Sequence, residues 1–180
     1  MEELLAKSGP EWTSLQDHLH QVAITAKVFA KHLGLDEELA YKGAILHDIG
    51  KAHPEFQKRL KGLSRPTKVF RHEIASLFFI SSFPENEHAA LIEMVVGHHK
   101  SIKNDIGEKG LLDLDNIDEY ENYHLGSWDE WNIQANELLN HFGISTKAIA
   151  KKEALENLDY VVNYCKKQVK QKGFLNGEAY

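Results

Sequence analysis

The chain has 180 residues, enough for one domain with a substantial core. Its 42% hydrophobic and 27% charged residues are those of an ordinary globular protein, and its formal charge of −6 argues against holding nucleic acid by net charge alone. Cys165 is the single cysteine, which excludes an intrachain disulfide and any cysteine-based zinc site; the longest apolar stretch, Ala75 to Phe83, is far too short to span a bilayer. The N-terminus lacks the basic and apolar regions of a signal peptide, so the expected location is the cytoplasm, with no membrane partner.

The periodicity predicts an all-α fold. Leu15, Leu19, Val22, Ala26, Phe29 and Leu33 recur at three- and four-residue steps, giving an amphipathic helix that ends near Gly34. Asp36 is a good N-cap for a second helix, with Glu37 and Glu38 in its first turn, and Gly50 and Pro54 mark its end. Pro54 opens a short helix through Leu60, and the stretch from Gly62 to Lys68 reads as a loop. A helix from Arg71 or His72 to Ser81 follows, then one from Asn86 or Glu87 to His98. Residues 102–125 are polar and acidic with two internal glycines, and read as a long insertion with at most short helices. Ser127-Trp128-Asp129-Glu130 is a capping-box pattern for a helix ending at Gly143. The last helix starts near Ser145 or Thr146, carries Leu155, Leu158, Val162, Cys165 and Val169 on one stripe, and stops at Gly173. No segment alternates in the manner of a strand.

The chemistry concentrates around His47-Asp48-Ile49-Gly50-Lys51. Adjacent His and Asp offer a nitrogen and an oxygen ligand, and a carboxylate has two oxygens with which to bridge two cations. On the first helix His18 shares the core side with Leu15 and Val22, whereas His20 points to the polar face; His18 is therefore the candidate. A lone His on an apolar face is usually a core residue, but His72 and the pair His98-His99 occupy comparable inward positions. Asp48 is costly to bury without a cation or several hydrogen bonds; its alternative is an N-cap or turn role before Gly50. Lys51 either holds a substrate phosphate or satisfies the helix C-terminus. His32, His53, His88, His124 and His141 fall on polar faces or in loops and receive no role. These parts suit a two-metal hydrolytic centre, and no nucleophile elbow or P-loop competes with it. Lys51 to Arg71 holds seven basic residues with Glu55 the only acid; Lys58, Arg59, Arg65 and Arg71 are candidates for phosphate contacts, against the alternative of a solvated face. The stretch 103–130 has nine acids and two lysines, and reads as solvated surface.

Four stretches resemble the HD superfamily of metal-dependent phosphohydrolases: LQDHLHQVAITA from Leu15, AILHDIGKAHPEFQKRL from Ala44, RHEIASL from Arg71 and VVGHHK from Val95. More narrowly, HDIGK followed by PEFQ, RHE and GHHK resembles the HD nuclease domain of the CRISPR-associated nuclease-helicase of type I interference systems. The resemblance implies an HD helical bundle over residues 1–180, here with a long acidic insertion. It implies one metal at His18, His47 and Asp48 and another at His72, His98 and His99, with Asp48 bridging. It further implies cleavage of single-stranded DNA with divalent transition metals (manganese, iron, nickel or cobalt, with magnesium also able to serve). The implied partners are a superfamily-two helicase, fused or separate, and an RNA-guided CRISPR surveillance complex. The family adds a late Asp to the first metal. Asp159, the one Asp of the last helix, either fills that place or is a polar residue at a stripe border. The expectation is a fragment whose missing Asp and helicase lie beyond Tyr180. The rivals are an HD phosphohydrolase acting on a small nucleotide, and a catalytically incomplete binding or docking module.

Overall fold

The computed structural model describes residues 3–63, 70–98, 123–144 and 147–172, the last with side chains to residue 168. Helices dominate it: α1 (Leu15–Leu33), α2 (Glu37–Leu46), α3 (Pro54–Leu60), α4 (His72–Leu77), α5 (His88–Gly97), α6 (Trp128–His141) and α7 (Lys151–Lys172). The all-α expectation holds. None of these helices is long and apolar enough to cross a membrane.

The local signals explain most helix ends. Ser14 caps α1 by accepting from the Asp17 amide at 3.0 Å, and Gly34 closes it at φ 68°, a left-handed conformation that suits glycine. Asp36 caps α2 by accepting from the amides of Glu38 and Leu39. Pro54 begins α3 as its fixed φ allows. The short link from Gly34 to Asp36 folds α2 back along α1, which brings His18 beside the segment that leaves α2.

Several expectations need correction. A short antiparallel ribbon, β1 (Leu5–Lys7) with β2 (Thr13–Ser14), precedes α1. Its strands are too short to leave an alternating pattern, and Gln57 stabilises β1 from outside by exchanging hydrogen bonds with both backbone groups of Leu5. On α1 the buried positions include Ala23 and Ala30, while Phe29 and Leu33 are 64% and 69% exposed. One neighbouring helix covers a narrow strip of α1, and small residues on that strip let the axes approach, leaving the larger flanking side chains in solvent. Helix α4 ends at Leu77 and not at Ser81, because Phe78 and Phe79 turn into the core and the Phe78 carbonyl accepts from Asn157 Nδ2 at 2.8 Å. Ser127 stands at the N-cap of α6 without a side-chain capping bond; its φ of −111° and ψ of 28° are not extended, and its backbone oxygen serves the amides of Glu130 and Trp131 instead. Helix α7 starts at Lys151, since the Ile149 carbonyl is taken by Trp128 Nε1 at 2.9 Å and Asn132 Nδ2 at 3.1 Å and so is withheld from a helical ladder. The acidic insertion is described only from Tyr123 onward; its residues 102–122 lie outside the described residues, as do 64–68 of the expected loop.

The core is continuous from Leu15 and Leu19 of α1 through Ile45, Leu46, Ile74, Leu77, Phe78 and Phe79 to Trp128, Trp131 and the inner face of α7. That face is Ala154, Leu158, Val161, Val162 and Cys165, which matches the expected stripe at Leu158, Val162 and Cys165 and leaves Leu155 half-buried at its edge. The segment after α2 sits against the first turn of α4, and this junction places the functional residues.

Candidate metal centre

Asp48 lies between α2 and a 3-10 turn (Ile49–Ala52), with φ −121° and ψ 4°. It makes no side-chain capping bond, so the turn role weighed above is not what its carboxylate does. The side chain is buried, and both oxygens face imidazoles. Oδ2 is 2.8 Å from His18 Nε2 and 3.0 Å from His47 Nε2; Oδ1 is 3.0 Å from His72 Nε2 and 3.8 Å from His98 Nε2. His72 Nε2 and His98 Nε2 are 3.4 Å apart. Two groups of potential ligands result, His18, His47 and Asp48 on one side and Asp48, His72 and His98 on the other. Each imidazole keeps an exposed edge, 11–18% of the side chain, against 3% for Asp48.

Each ligand position has a local cause. His18 enters from the first turns of α1, His47 is the C-cap of α2, His72 is the first residue of α4 and His98 is the C-cap of α5. Helix termini bring backbone and side chain together at one point without threading a side chain past a helix wall. Gly50 permits the approach of the turn to α4: a Cβ there would overlap the His72 carbonyl oxygen and crowd the Ser76 amide. Ser76, buried on α4, accepts from the Gly50 amide at 2.9 Å and donates to the His47 carbonyl at 3.1 Å. Gln57 donates to the Lys51 carbonyl at 2.7 Å. Phe56 packs edge-on against His72, with ring centroids 5.3 Å apart, and lies under Lys51 Nζ at 5.7 Å. Gly43, one turn before His47, gives close packing against Met94 of α5.

The donor set fits divalent cations. His47 Nδ1 is 2.6 Å from the Ala44 carbonyl and His98 Nδ1 is 2.5 Å from the Val95 carbonyl. A carbonyl only accepts, so each Nδ1 carries the proton and, in the neutral ring, each Nε2 presents a lone pair. In that tautomer His47 Nε2 would turn a lone pair toward Asp48 Oδ2 at 3.0 Å, a geometry that suits a cation held between them. Asp48 Oδ1 is buried and makes no hydrogen bond among the described residues, with His72 Nε2 3.0 Å away. Lys51 Nζ, 2.7 Å from Oδ2, supplies positive charge at the same place. Burial opposes ionisation of Asp48, but the imidazoles of His18, His47 and His72 outweigh it and hold the carboxyl far below the usual carboxylate range. Imidazole nitrogens with a shared carboxylate suit first-row transition metals.

The other sequence candidates divide. His99 and Arg65 lie outside the described residues. Asp159 is exposed on α7 and belongs to neither ligand group. Lys58 is exposed and paired with Glu55 at 2.9 Å; Arg59 is exposed; Arg71 Nε pairs with buried Glu73 at 2.5 Å. Arg71 overcomes the burial that opposes Glu73 ionisation, so that carboxyl also lies below its ordinary range. Ser76 and Gln57 were not singled out in the sequence, and the spacing of a lone Ser or Gln holds no signal for a backbone clamp. His53 and His124, placed above on polar faces or in loops, are fully buried.

The HD domain family matches residues 15–129 of this chain. The chain belongs to the HD-domain family. Relatives of this HD domain include ribonuclease Y of Chlorobium phaeobacteroides, 31% identical over 104 residues, which is 58% of this chain and 17% of that protein. Ribonuclease Y of Chlorobium phaeovibrioides is 29% identical over 104 residues, again 58% of this chain and 17% of the relative. The HD domain described here therefore spans about a sixth of the length of these relatives. No solved structure matches it.

Proposed function

We propose that this HD domain hydrolyses phosphodiester bonds in single-stranded DNA, using two divalent cations held on either side of Asp48. The observation that carries the proposal is the single carboxylate whose Oδ1 and Oδ2 face two separate groups of imidazoles. His18 and His47 serve the first position and His72 and His98 the second, with His99 as the further ligand of the second and Asp48 common to both. When bound, the cations lower the pKa of a coordinated water and polarise the scissile phosphate. Asp48 would be shared by both, and its surroundings hold it ionised. The Nδ1–H bonds to Ala44 and Val95 hold His47 and His98 in the ligating tautomer. Lys51 places positive charge beside the phosphate, and the wall of Phe56 keeps that ammonium near the site. Lys58 and Arg59, exposed on α3, supply charge for the strand beyond the reacting phosphate.

DNA is favoured by the run HDIGK, PEFQ, RHE and GHHK, which resembles the nuclease of CRISPR interference; in that setting the strand is delivered by a superfamily-two helicase acting with an RNA-guided surveillance complex. RNA is the second reading, favoured by the relatives that carry the name ribonuclease Y. The test compares cleavage of single-stranded DNA, single-stranded RNA of the same sequence and a panel of nucleotides, with manganese, nickel or magnesium added. The expected result is cleavage of the DNA, lost in Asp48→Ala with the helical circular dichroism unchanged. Cleavage of RNA alone moves the assignment to the second reading. Full activity of Asp48→Ala, or hydrolysis confined to nucleotides, sinks both.

A further inference from the structure

His53, Phe70 and His124 form a buried cluster of rings that reaches the backbone at the start of α4. The Phe70 ring packs against both imidazoles, with centroids 4.4 Å from His53 and 4.5 Å from His124, and the two imidazoles are themselves 6.3 Å apart. Three hydrogen bonds run through the cluster. The Glu55 amide donates to His53 Nδ1 at 3.1 Å, His53 Nε2 donates to the His124 carbonyl at 3.0 Å, and His124 Nε2 donates to the Arg71 carbonyl at 3.1 Å. Amide donors and carbonyl acceptors leave no choice of direction, so His53 is an Nε2–H tautomer and His124 carries its proton on Nε2. Burial keeps His53 neutral, with its pKa lowered to about 3.

The Arg71 carbonyl belongs to the peptide plane that begins His72. Its helical partner, the Ala75 amide, reaches it only at 3.3 Å, so His124 holds the same oxygen more closely. The next carbonyl, that of His72 itself, is the one Gly50 is packed against. The two peptide planes flanking His72 are thus held by different elements, the first of them by His124.

We infer that His124 is a positioning residue for the second cation site, holding His72 through the Arg71 carbonyl, with His53 and Phe70 holding His124 in turn. The inference rests on the two-cation reading above. Backbone and outer partners of metal ligands commonly change metal affinity by about 10- to 100-fold when lost. Such a loss here should fall on one site, because His18 and His47 are held by α1 and α2 and their ring contacts are with each other and His98, not with the His53, Phe70 and His124 cluster.

The test is manganese binding followed by calorimetry and by the spin-coupled electron paramagnetic resonance signal of an occupied pair. It uses the full chain as wild type, His124→Phe and His124→Gln, with thermal melting of each. His124→Phe keeps a ring on Phe70 and removes the donor; His124→Gln keeps a donor nitrogen. The wild type should bind two ions. In His124→Phe the second should weaken about tenfold or more while the first stays within about twofold, with His124→Gln recovering most of the loss. Should His124→Phe not fold, nitrogen-15 spectra of the wild-type imidazoles decide: the His124 Nε2–H resonance moves with the second equivalent of zinc and not the first. Equal weakening of both ions, an unchanged second ion, or a His124 resonance that follows the first equivalent overturns the inference alone. Fewer than two ions in the wild type overturns the two-cation reading, and the inference with it.

Discussion

Asp48 does what no neighbour could do in its place, because its carboxylate is buried at a helix break and is reached by four imidazoles from four elements. Its neighbours can be tested separately. Gly50→Ala drives a Cβ into the His72 carbonyl, and overpacking against backbone should cost about 3 kcal/mol in urea denaturation. A loss below about 0.5 kcal/mol would show that the turn can retreat from α4. Ser76→Ala removes the acceptor of the Gly50 amide and the donor to the His47 carbonyl, and should cost about 1–3 kcal/mol. His53 supplies a pH signature. Burial first, then the nearby His124, lowers its pKa from 6.5 to about 3, so the unfolded chain binds the extra proton between those values. Its contribution is complete above about pH 6.5 and is lost as pH falls toward 3, at no more than about 1.4 kcal/mol per pH unit. The difference between wild type and His53→Asn in the slope of unfolding free energy against pH, from 6.5 down to 4, should approach one proton. Parallel slopes would mean that His53 titrates normally.

At the scale of elements, the ends of helices carry the site. The helix ends at Gly34, Asp36 and Pro54 were legible because capping is a matter of a few adjacent residues, although Ser14 went unread as the cap of α1. The end of α4, the start of α7 and the ribbon were not, since each depends on a distant side chain: Asn157 for α4, Trp128 and Asn132 for the segment before α7, Gln57 for the ribbon. Gln57 gives the clearest element-level prediction. It joins β1 to the turn after Asp48 by three hydrogen bonds of 2.7–2.9 Å. Gln57→Leu leaves these backbone groups unpaired in a buried place and should cost about 3 kcal/mol. Hydrogen exchange would show it as faster loss of the Leu5 amide, with α6 and α7 unaffected; uniform acceleration would mean that the ribbon is no separate unit.

For the whole molecule, a cation bound only by the folded chain shifts the folding equilibrium by mass action. At a hundredfold excess over its dissociation constant each ion adds about 2.7 kcal/mol. The melting temperature should therefore rise with added manganese, fall back with a chelator, and be insensitive to both in Asp48→Ala. The same rise in that variant would place the ions elsewhere. The exposed apolar residues on α1, Ile24, Val28, Phe29 and Leu33, leave the helix-hairpin of α1 and α2 less covered than the site end of the molecule, so its exchange should be faster than that of α4.

The sequence by itself determined the chemistry and the fold class. The choice of candidate ligands is local: His18 is picked out by its face of a helix, His47 and Asp48 by adjacency, and the helices themselves by a few turns of periodic chain. It also pointed to Asp48 as the shared residue, through a family resemblance. Only the tertiary structure decided that the two oxygens of Asp48 face opposite groups, and that Asp159 faces solvent. It also decided that Ser76, Gln57, His53 and His124 hold the backbone around the site. Those contacts join residues far apart in the chain, 26 positions between Gly50 and Ser76 and 71 between His53 and His124. A buried hydrogen bond is made when two backbones arrive at the same place, and no local pattern of residues encodes that arrival.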